Sequence, residues 1–414
     1  MNDKRWSIAL LVCAAIAISY LDRQSLPVAV KAVQADIPMT NTEFGALGSI
    51  FLLAYALMYA GGGVLIDRLG TGRGFFLIMV FWSLACASHA LATGFWMLAA
   101  SRFLLGAGEG GGFPAATKVI AEWFPVKERS TAMGIVNAGT AVGAVIAPPA
   151  IAAIILYSNW RWVFVACGAV GVLWAVWWRA AYPASGPRPQ AQGPSSEAGT
   201  PAGQPVLSWS QLISFRQVQG LVFAKFLTDA AWFFYINWLP KYLYDARGFD
   251  TKEVGYYAWV PFAASGVGSL LGGWFSSRLI AQGRSIDFSR KLALGLSAVV
   301  MPGIIFVTRV PVEWAIVLFS LAFFGQQSWS TLVMIVPTDL FDRRVVASVA
   351  GMVGFGGAMG GLLMNLLAGR LLDLGFGYQF VFSIVGLLHV TAFGVILVAI
   401  PRIEALRGAR VPKA

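Results

Sequence analysis

Residues 19–24, SYLDRQ, place an aspartate and an arginine side by side near the far end of the apolar run SIALLVCAAIAISY. A second apolar stretch, beginning RFLLGAGEGGG at 102, carries Arg102 and Glu109. A charge at bilayer depth costs roughly 2.5–3.5 kcal/mol on insertion scales, so such residues are kept for a function. Asp22 and Arg23 are successive and point about 100° apart on a helix, so each needs its own partner or water. Facing a cavity, Arg23 would bind a carboxylate through the two parallel hydrogen bonds of its planar fork. Tyr20, three residues earlier on a nearby face, could offer its hydroxyl to the same ligand. Arg102 and Glu109 return to almost the same helix face after two turns, roughly 10 Å apart along the axis. The glycines at 106, 108, 110, 111 and 112 let backbones approach and the helix bend. Desolvation in such surroundings disfavours the charged form of a lone glutamate, a property that a proton carrier needs.

Weaker candidates follow from position. Tyr55 lies mid-way along the second apolar run, where it either lines a cavity or packs. Asn137 and Thr140 in the fifth run can bind ligand hydroxyls or support helix contacts. Lys225, Asp229, Tyr235 and Asn237 punctuate the seventh run, and Lys225 and Asp229, four apart, can pair with each other. Gln326, Gln327, Trp329 and Ser330 cluster in the tenth run, and Asn365 stands alone in the eleventh. Amides and hydroxyls suit a polyhydroxylated ligand, and Trp329 could stack on a sugar-ring face. His89 reads as interfacial, near the outer end of the third run; His389 reads as a packing or hydrogen-bonded residue. Cys13, Cys86 and Cys167 lack C-x-x-C spacing, so packing is expected of them rather than disulfide or metal roles. The best ionisable positions sit in the first half and neutral polar ones dominate the second. This suggests that the first half handles protons and carboxylate while the second recognises hydroxyls.

The elements that must hold these residues are read from composition. The chain is 58% hydrophobic and 12% charged, against about 25% charged in a soluble domain. With a mean hydropathy of +0.71, this is a polytopic, all-α membrane protein. A window of about 20 residues gives twelve candidate spans: 8–32, 44–66, 74–93, 96–123, 131–157, 161–182, 217–243, 253–280, 289–309, 312–338, 345–372 and 378–400. The charged start MNDKRW resembles a signal peptide, but the apolar run continues through Asp22-Arg23 and reads as an uncleaved first helix. With both termini in the cytoplasm, the inner side collects twenty of the thirty Lys and Arg, the outer side seven, and Arg23, Arg102 and Lys225 lie inside spans. This is the positive-inside bias, and it accounts for the net charge of +11 without nucleic acid as a partner.

The stretch 183–205, PASGPRPQAQGPSSEAGTPAGQP, has linker composition and divides the spans six and six. The expected organisation is a six-helix bundle over 1–182, a cytoplasmic linker over 183–216, a second bundle over 217–400 and a tail over 401–414. The halves echo each other. Gly134, Gly139 and Gly143 follow G-x4-G-x3-G, repeated by Gly351, Gly356 and Gly360 217 residues later. GGVLIDRLGTGR at 62–73 has a degraded echo in GGWFSSRLIAQGR at 272–284, with Ser277 in place of Asp67. Two parallel repeats are the construction of alternating-access transporters, which bind substrate near the midplane between halves. There is no P-loop, HExxH or G-x-S-x-G to suggest an enzyme or an ATP-driven pump.

The G-x-x-x-D-R-x-G pattern from Gly63 to Gly70, read as the loop after the second span, resembles the signature of the major facilitator superfamily. Asp67, Arg68 and Arg73 would then hold the halves together on one side and release them in the other state. SYLDR, RFLLGAGEGGGFPAATKVIAEWFPVKERSTAMG at 102–134, KFLTD at 225–229, WLPKYLYDARGF at 238–249 and VASVAGMVGFGGAMGG at 346–361 narrow the resemblance to the anion:cation symporter family. The sequence is most similar to that family's bacterial hexuronate and aldonate transporters. The resemblance implies a proton-coupled importer of sugar-acid anions in the bacterial inner membrane, acting as a monomer and using protons rather than a cofactor. It puts the protonation sites at Asp22 and Glu109 and leaves substrate charge and salt-bridge switching to Arg23 and Arg102. Which arginine meets the carboxylate first stays open. Relatives that carry aromatic and other organic acids leave the substrate open too. Ala147-Pro148-Pro149 only partly resembles the glycine-proline signature of exporters, and a transport-derived sensor would be expected to carry a larger cytoplasmic domain.

Overall fold

The computed structural model describes residues 2–124, 126–183, 209–341 and 343–404. The first half comprises α1 (Asn2–Asp36), α2 (Asn41–Leu69), α3 (Thr71–Ser88), α4 (Phe95–Glu109), α5 (Gly112–Trp123), α6 (Val126–Tyr157) and α7 (Trp160–Ala181). The second comprises a short α8 (Trp209–Ile213), then α9 (Arg216–Arg247), α10 (Thr251–Tyr257), α11 (Trp259–Ala281), α12 (Ile286–Val299), α13 (Val312–Leu340), α14 (Arg343–Asp373) and α15 (Gly377–Ala399). No strand occurs among the described residues. Residues 184–208 of the expected linker and 405–414 of the expected tail lie outside the described residues.

Each expected span coincides with helix, but two of them are split into separate α-helices, and the ninth passes at Val300 from α12 into a 3-10 helix, Met301–Phe306. The fourth is α4 and α5, interrupted at Gly110-Gly111, and the eighth is α10 and α11, interrupted at Ala258. Among the described residues, nine helices are long and apolar enough to cross a membrane. The three spans outside that set are the two broken ones and α9, whose run carries Lys225 and Asp229. Two of these three, the fourth span and α9, carry ionisable candidates, Arg102 and Glu109 in one and Lys225 and Asp229 in the other.

Helix ends follow local chemistry. A capping box starts α2: the Glu43 N–H donates to the Thr40 hydroxyl, and the Thr40 N–H donates to the Glu43 carboxylate. At its other end α2 runs on to Leu69, so Gly63–Leu69 is helix and not the expected loop. Only Gly70, at φ +76°, breaks the chain direction, a conformation that a side chain disfavours. Arg68 and Arg73 are exposed on either side of that break, while the surroundings of Gly63 and the side chain of Asp67 lie outside the described set.

The repeat seen in the glycines is a packing repeat. A Cβ on Gly143 would stand 2.1 Å from the Ala17 carbonyl oxygen of α1, and a Cβ on Gly360 would stand 1.9 Å from the Phe226 oxygen of α9. Corresponding glycines thus seat α6 on α1 and α14 on α9, each at backbone-to-backbone distance. The first glycine of each motif, Gly134 or Gly351, has nothing near its Cβ position. Gly360→Ala is accordingly expected to cost about 1–3 kcal/mol through overpacking. It should lower the midpoint of a thermal unfolding series in detergent, while Gly351→Ala leaves that midpoint unchanged.

The described contacts between the halves gather on the face away from the termini. There the Tyr244 hydroxyl of α9 donates to the Val28 carbonyl of α1 (2.8 Å), and the Ser49 hydroxyl of α2 donates to the Leu362 carbonyl of α14 (2.7 Å). Phe44 and Trp238 meet edge to face, with ring centroids 5.0 Å apart. Asp373, the last residue of α14, accepts from the N–H groups of Asn41 (3.0 Å) and Thr42 (2.7 Å) and from the Thr42 hydroxyl. A carboxylate from one half therefore caps the positive end of a helix in the other. Asp373→Ala should remove about 1 kcal/mol from this closed face, comparable to losing a helix cap. Spin labels at Leu91 and Tyr256, both exposed at this end, should then report a larger population of long distances.

Candidate functional site

Pro27 lies inside α1 and lacks an N–H, so the carbonyl of Arg23 four residues earlier loses its helical partner. Pro240 does the same to the Ile236 carbonyl in α9. Pro27 and Ile236 both line a cavity between the halves, with walls from α1, α2, α4 and α9. The cavity is partly open and encloses about 470 Å³ of empty space, open solvent included. Arg23 and Arg102 supply its charge, Asn237 an amide, and Phe44, Phe51 and Phe233 its apolar surface.

Arg23 is already engaged. Its Nε donates to Glu109 Oε2 at 2.6 Å, and its guanidinium lies 4.8 Å from the Tyr20 ring centre, 4.7 Å from Tyr55 and 5.6 Å from Phe51. Aromatic faces attract a cation, so these rings hold the fork in place. Gly106 and Gly110 press α4 against the carbonyls of Phe51 and Tyr55 in α2, which carries Glu109 to the end of this aromatic box. The Glu109 side chain is fully buried, and its second oxygen has no hydrogen-bond partner.

Arg102 differs. It is 4% exposed, lines the cavity, and its Nε and Nη2 have no hydrogen-bond partner. A buried guanidinium with unmet donors is costly unless a ligand meets them. Asp22 points away from Arg23, as expected for successive residues. It is fully buried and off the cavity wall, beside the Cys86 and Cys167 thiols of α3 and α7.

In the second half, Lys225 donates to Asp229 (2.8 Å) and to the Ser330 hydroxyl of α13 (2.8 Å). The Gln326 amide reaches Asp229 at 3.5 Å and also meets His389 of α15. Asn237 donates to Asn365 (3.0 Å), which also accepts from the Trp238 indole (3.1 Å), against α2 at Gly48. Gln327 is half-buried and its carbonyl accepts from Thr331. Trp329 is fully buried against His389 and Phe393, and Tyr235 is fully buried on Phe323, so neither shows a face to the cavity in this conformation. Asn137 is exposed on α6, and the Thr140 hydroxyl donates to its carbonyl. His89 is not interfacial: it is fully buried, stacked on Phe164, with Nδ1 at the Ala85 and Cys86 carbonyls. Sequence reasoning passed over Phe44, Phe51 and Phe233, because phenylalanine in an apolar helix carries no mark of facing a cavity rather than lipid.

A family model described as Major Facilitator Superfamily matches residues 12–361. The chain belongs to the Major Facilitator Superfamily. It is a multi-pass membrane transporter and not an enzyme. It is 31% identical to the hexuronate transporter of Escherichia coli (strain K12), over 97% of this chain and 95% of that one. It is 28% identical to the D-galactonate transporter of Escherichia coli O6:H1, over 94% of each. It is also 29% identical to a probable sulfoacetate transporter of Cupriavidus necator, over 93% and 91%. Among solved structures, a bacterial homolog of the human lysosomal transporter Spinster, inward-facing and occupied, superposes with a TM-score of 0.78 at 18% identity, over 96% and 97% of the two chains. That likeness shows the fold alone.

The site can therefore receive a carboxylate on Arg102 and carry a proton on Glu109, whose ionised form competes with that carboxylate for Arg23. Its amides can meet hydroxyls, and α1 and α9 are each loosened by a proline, Pro27 on the cavity wall and Pro240 one turn past the wall residue Ile236.

Proposed function

We propose that this chain is a proton-coupled symporter that imports sugar-acid anions, hexuronates or aldonates, across a bacterial inner membrane by alternating access. The observation that carries the reading is the cavity-lining guanidinium of Arg102, buried with its donors unmet. A ligand carboxylate satisfies that fork bidentately. The hexuronate and galactonate relatives support the class of anion, and Asn237 on the facing wall suits hydroxyls.

Coupling follows from the Arg23–Glu109 pair. While Glu109 is ionised it occupies Arg23; once protonated it releases that guanidinium, which then joins Arg102 on the substrate. The proton and the substrate thus favour the same state. Asp22, buried beside these groups, is the second protonation site. A proton that enters with each substrate carboxylate leaves the net charge of the cavity unchanged by loading, and the halves can rock. The termini lie on the cytoplasmic side, so the closed face is periplasmic and the Asp373 latch is the outer gate. The Asp67–Arg68–Arg73 motif serves the inner one. The cavity is walled by one chain's own halves, so a monomer suffices.

The test is uptake into proteoliposomes of labelled galacturonate, glucuronate, galactonate, sulfoacetate and an aromatic acid, with and without an inward proton gradient. Gradient-stimulated uptake of the sugar acids is expected. Stimulation confined to sulfoacetate or the aromatic acid would move the substrate class, and no stimulation for any anion overturns symport.

A further inference from the structure

Three donor atoms from three helices converge in the first half. A carboxylate oxygen of Asp22 (α1) and the Sγ atoms of Cys86 (α3) and Cys167 (α7) lie within 4.8 Å of one another. All three residues are buried, at 0%, 0% and 3% exposure. Apart from those two thiols, neither Asp22 oxygen has a hydrogen-bond partner among the described residues, which is rare for a buried carboxyl. Among the described residues, the metal-binding atoms grouped with the carboxyl are these two soft thiols.

We propose that Asp22, Cys86 and Cys167 bind a thiophilic divalent cation of the zinc and cadmium class, and that its binding arrests transport. Thiolate pairs select such ions over magnesium or calcium. With metal–sulfur bonds of about 2.3 Å and metal–oxygen bonds of about 2.0–2.2 Å, the donors need to draw together by only about 1 Å. On binding, two S–H bonds break and two metal–sulfur bonds form; two protons leave, or three if the Asp22 carboxyl carried one. The charges then balance. Two thiolates and a carboxylate contribute three negative charges, the ion two positive ones, and Arg102, whose charge acts on both Asp22 and Cys86, the third positive one. A bound ion ties α1 to α3 and α7 and withholds Asp22 from protons. Arrest of transport rests on the symport reading above, whereas binding does not.

The experiment titrates the purified full-length protein in nanodiscs with Cd²⁺ alone and follows thiolate-to-cadmium charge-transfer absorbance and proton release. One ion per chain is expected, retained in Cys13→Ser and lost in Cys86→Ser and in Cys167→Ser. Asp22→Asn keeps both thiols, so it should weaken binding without abolishing the absorbance at high Cd²⁺, which guards against a folding defect in the cysteine variants. In proteoliposomes, Cd²⁺ should block uptake by the wild type and spare the Cys86→Ser/Cys167→Ser double variant. A wild-type protein that shows no charge-transfer band, or a band that survives in the double variant, overturns the site. Binding without block of a demonstrably active transporter overturns only the arrest.

Discussion

Arg102→Ala should weaken substrate binding by at least about thirtyfold with little change in the stability of the protein. Truncating one partner of a desolvated, hydrogen-bonded charge pair costs about 2–5 kcal/mol. Here the pair exists only with substrate present, because no residue holds the Arg102 Nε and Nη2. Removing the side chain therefore breaks no hydrogen bond of Nε or Nη2 within the protein. Arg23→Ala is the instructive contrast, since it leaves the fully buried Glu109 side chain without its 2.6 Å partner. That variant should lose thermal stability as well as affinity. Arg102→Lys should fall between wild type and alanine, because an ammonium keeps the charge and loses the planar fork. Calorimetric titration with galacturonate, alongside a thermal unfolding series, separates these cases. An alanine variant that binds within threefold of wild type would refute the role given to Arg102.

Glu109→Gln should abolish uphill accumulation while sparing counterflow exchange. Glutamine is nearly isosteric and can still accept from Arg23 Nε, so the aromatic box should stay intact. What it cannot do is switch between a charged state that occupies Arg23 and a neutral one that frees it. The variant resembles the permanently protonated carrier, with Arg23 available to substrate at all times. Substrate affinity should be equal to or tighter than wild type, and its response to pH should shrink to the part that Asp22 carries. In proteoliposomes the variant should exchange labelled for unlabelled substrate at a rate near wild type, yet fail to concentrate it under an inward proton gradient. Should it still accumulate substrate against a gradient, the proton resides elsewhere.

Much of this architecture was legible beforehand because membrane insertion leaves few choices. Backbone groups in lipid must be paired internally, so a chain of this composition has to be helical, and twelve apolar runs define twelve spans. The glycine repeat could be read because a close approach of two backbones tolerates no larger residue. Ala17 against Gly143 and Phe226 against Gly360 show this at the same place in both halves. The motif ending at Gly70 was less legible. Its glycines and charges suggested a loop, yet α2 continues through them, and a single positive φ makes the turn.

By itself the sequence determined the class of protein, the two-fold repeat and which ionisable residues lie at bilayer depth, since each is a matter of residue type and period along one chain. Only the tertiary structure decided which of those residues meet. Arg23 and Glu109 pair across 86 positions, while Arg102 keeps free donors in the cavity. Asp22 turns away to two cysteines whose spacing in sequence gave no hint of a shared site. Partners drawn from different helices depend on how the helices are rotated against one another, and no periodicity within a single helix encodes that rotation.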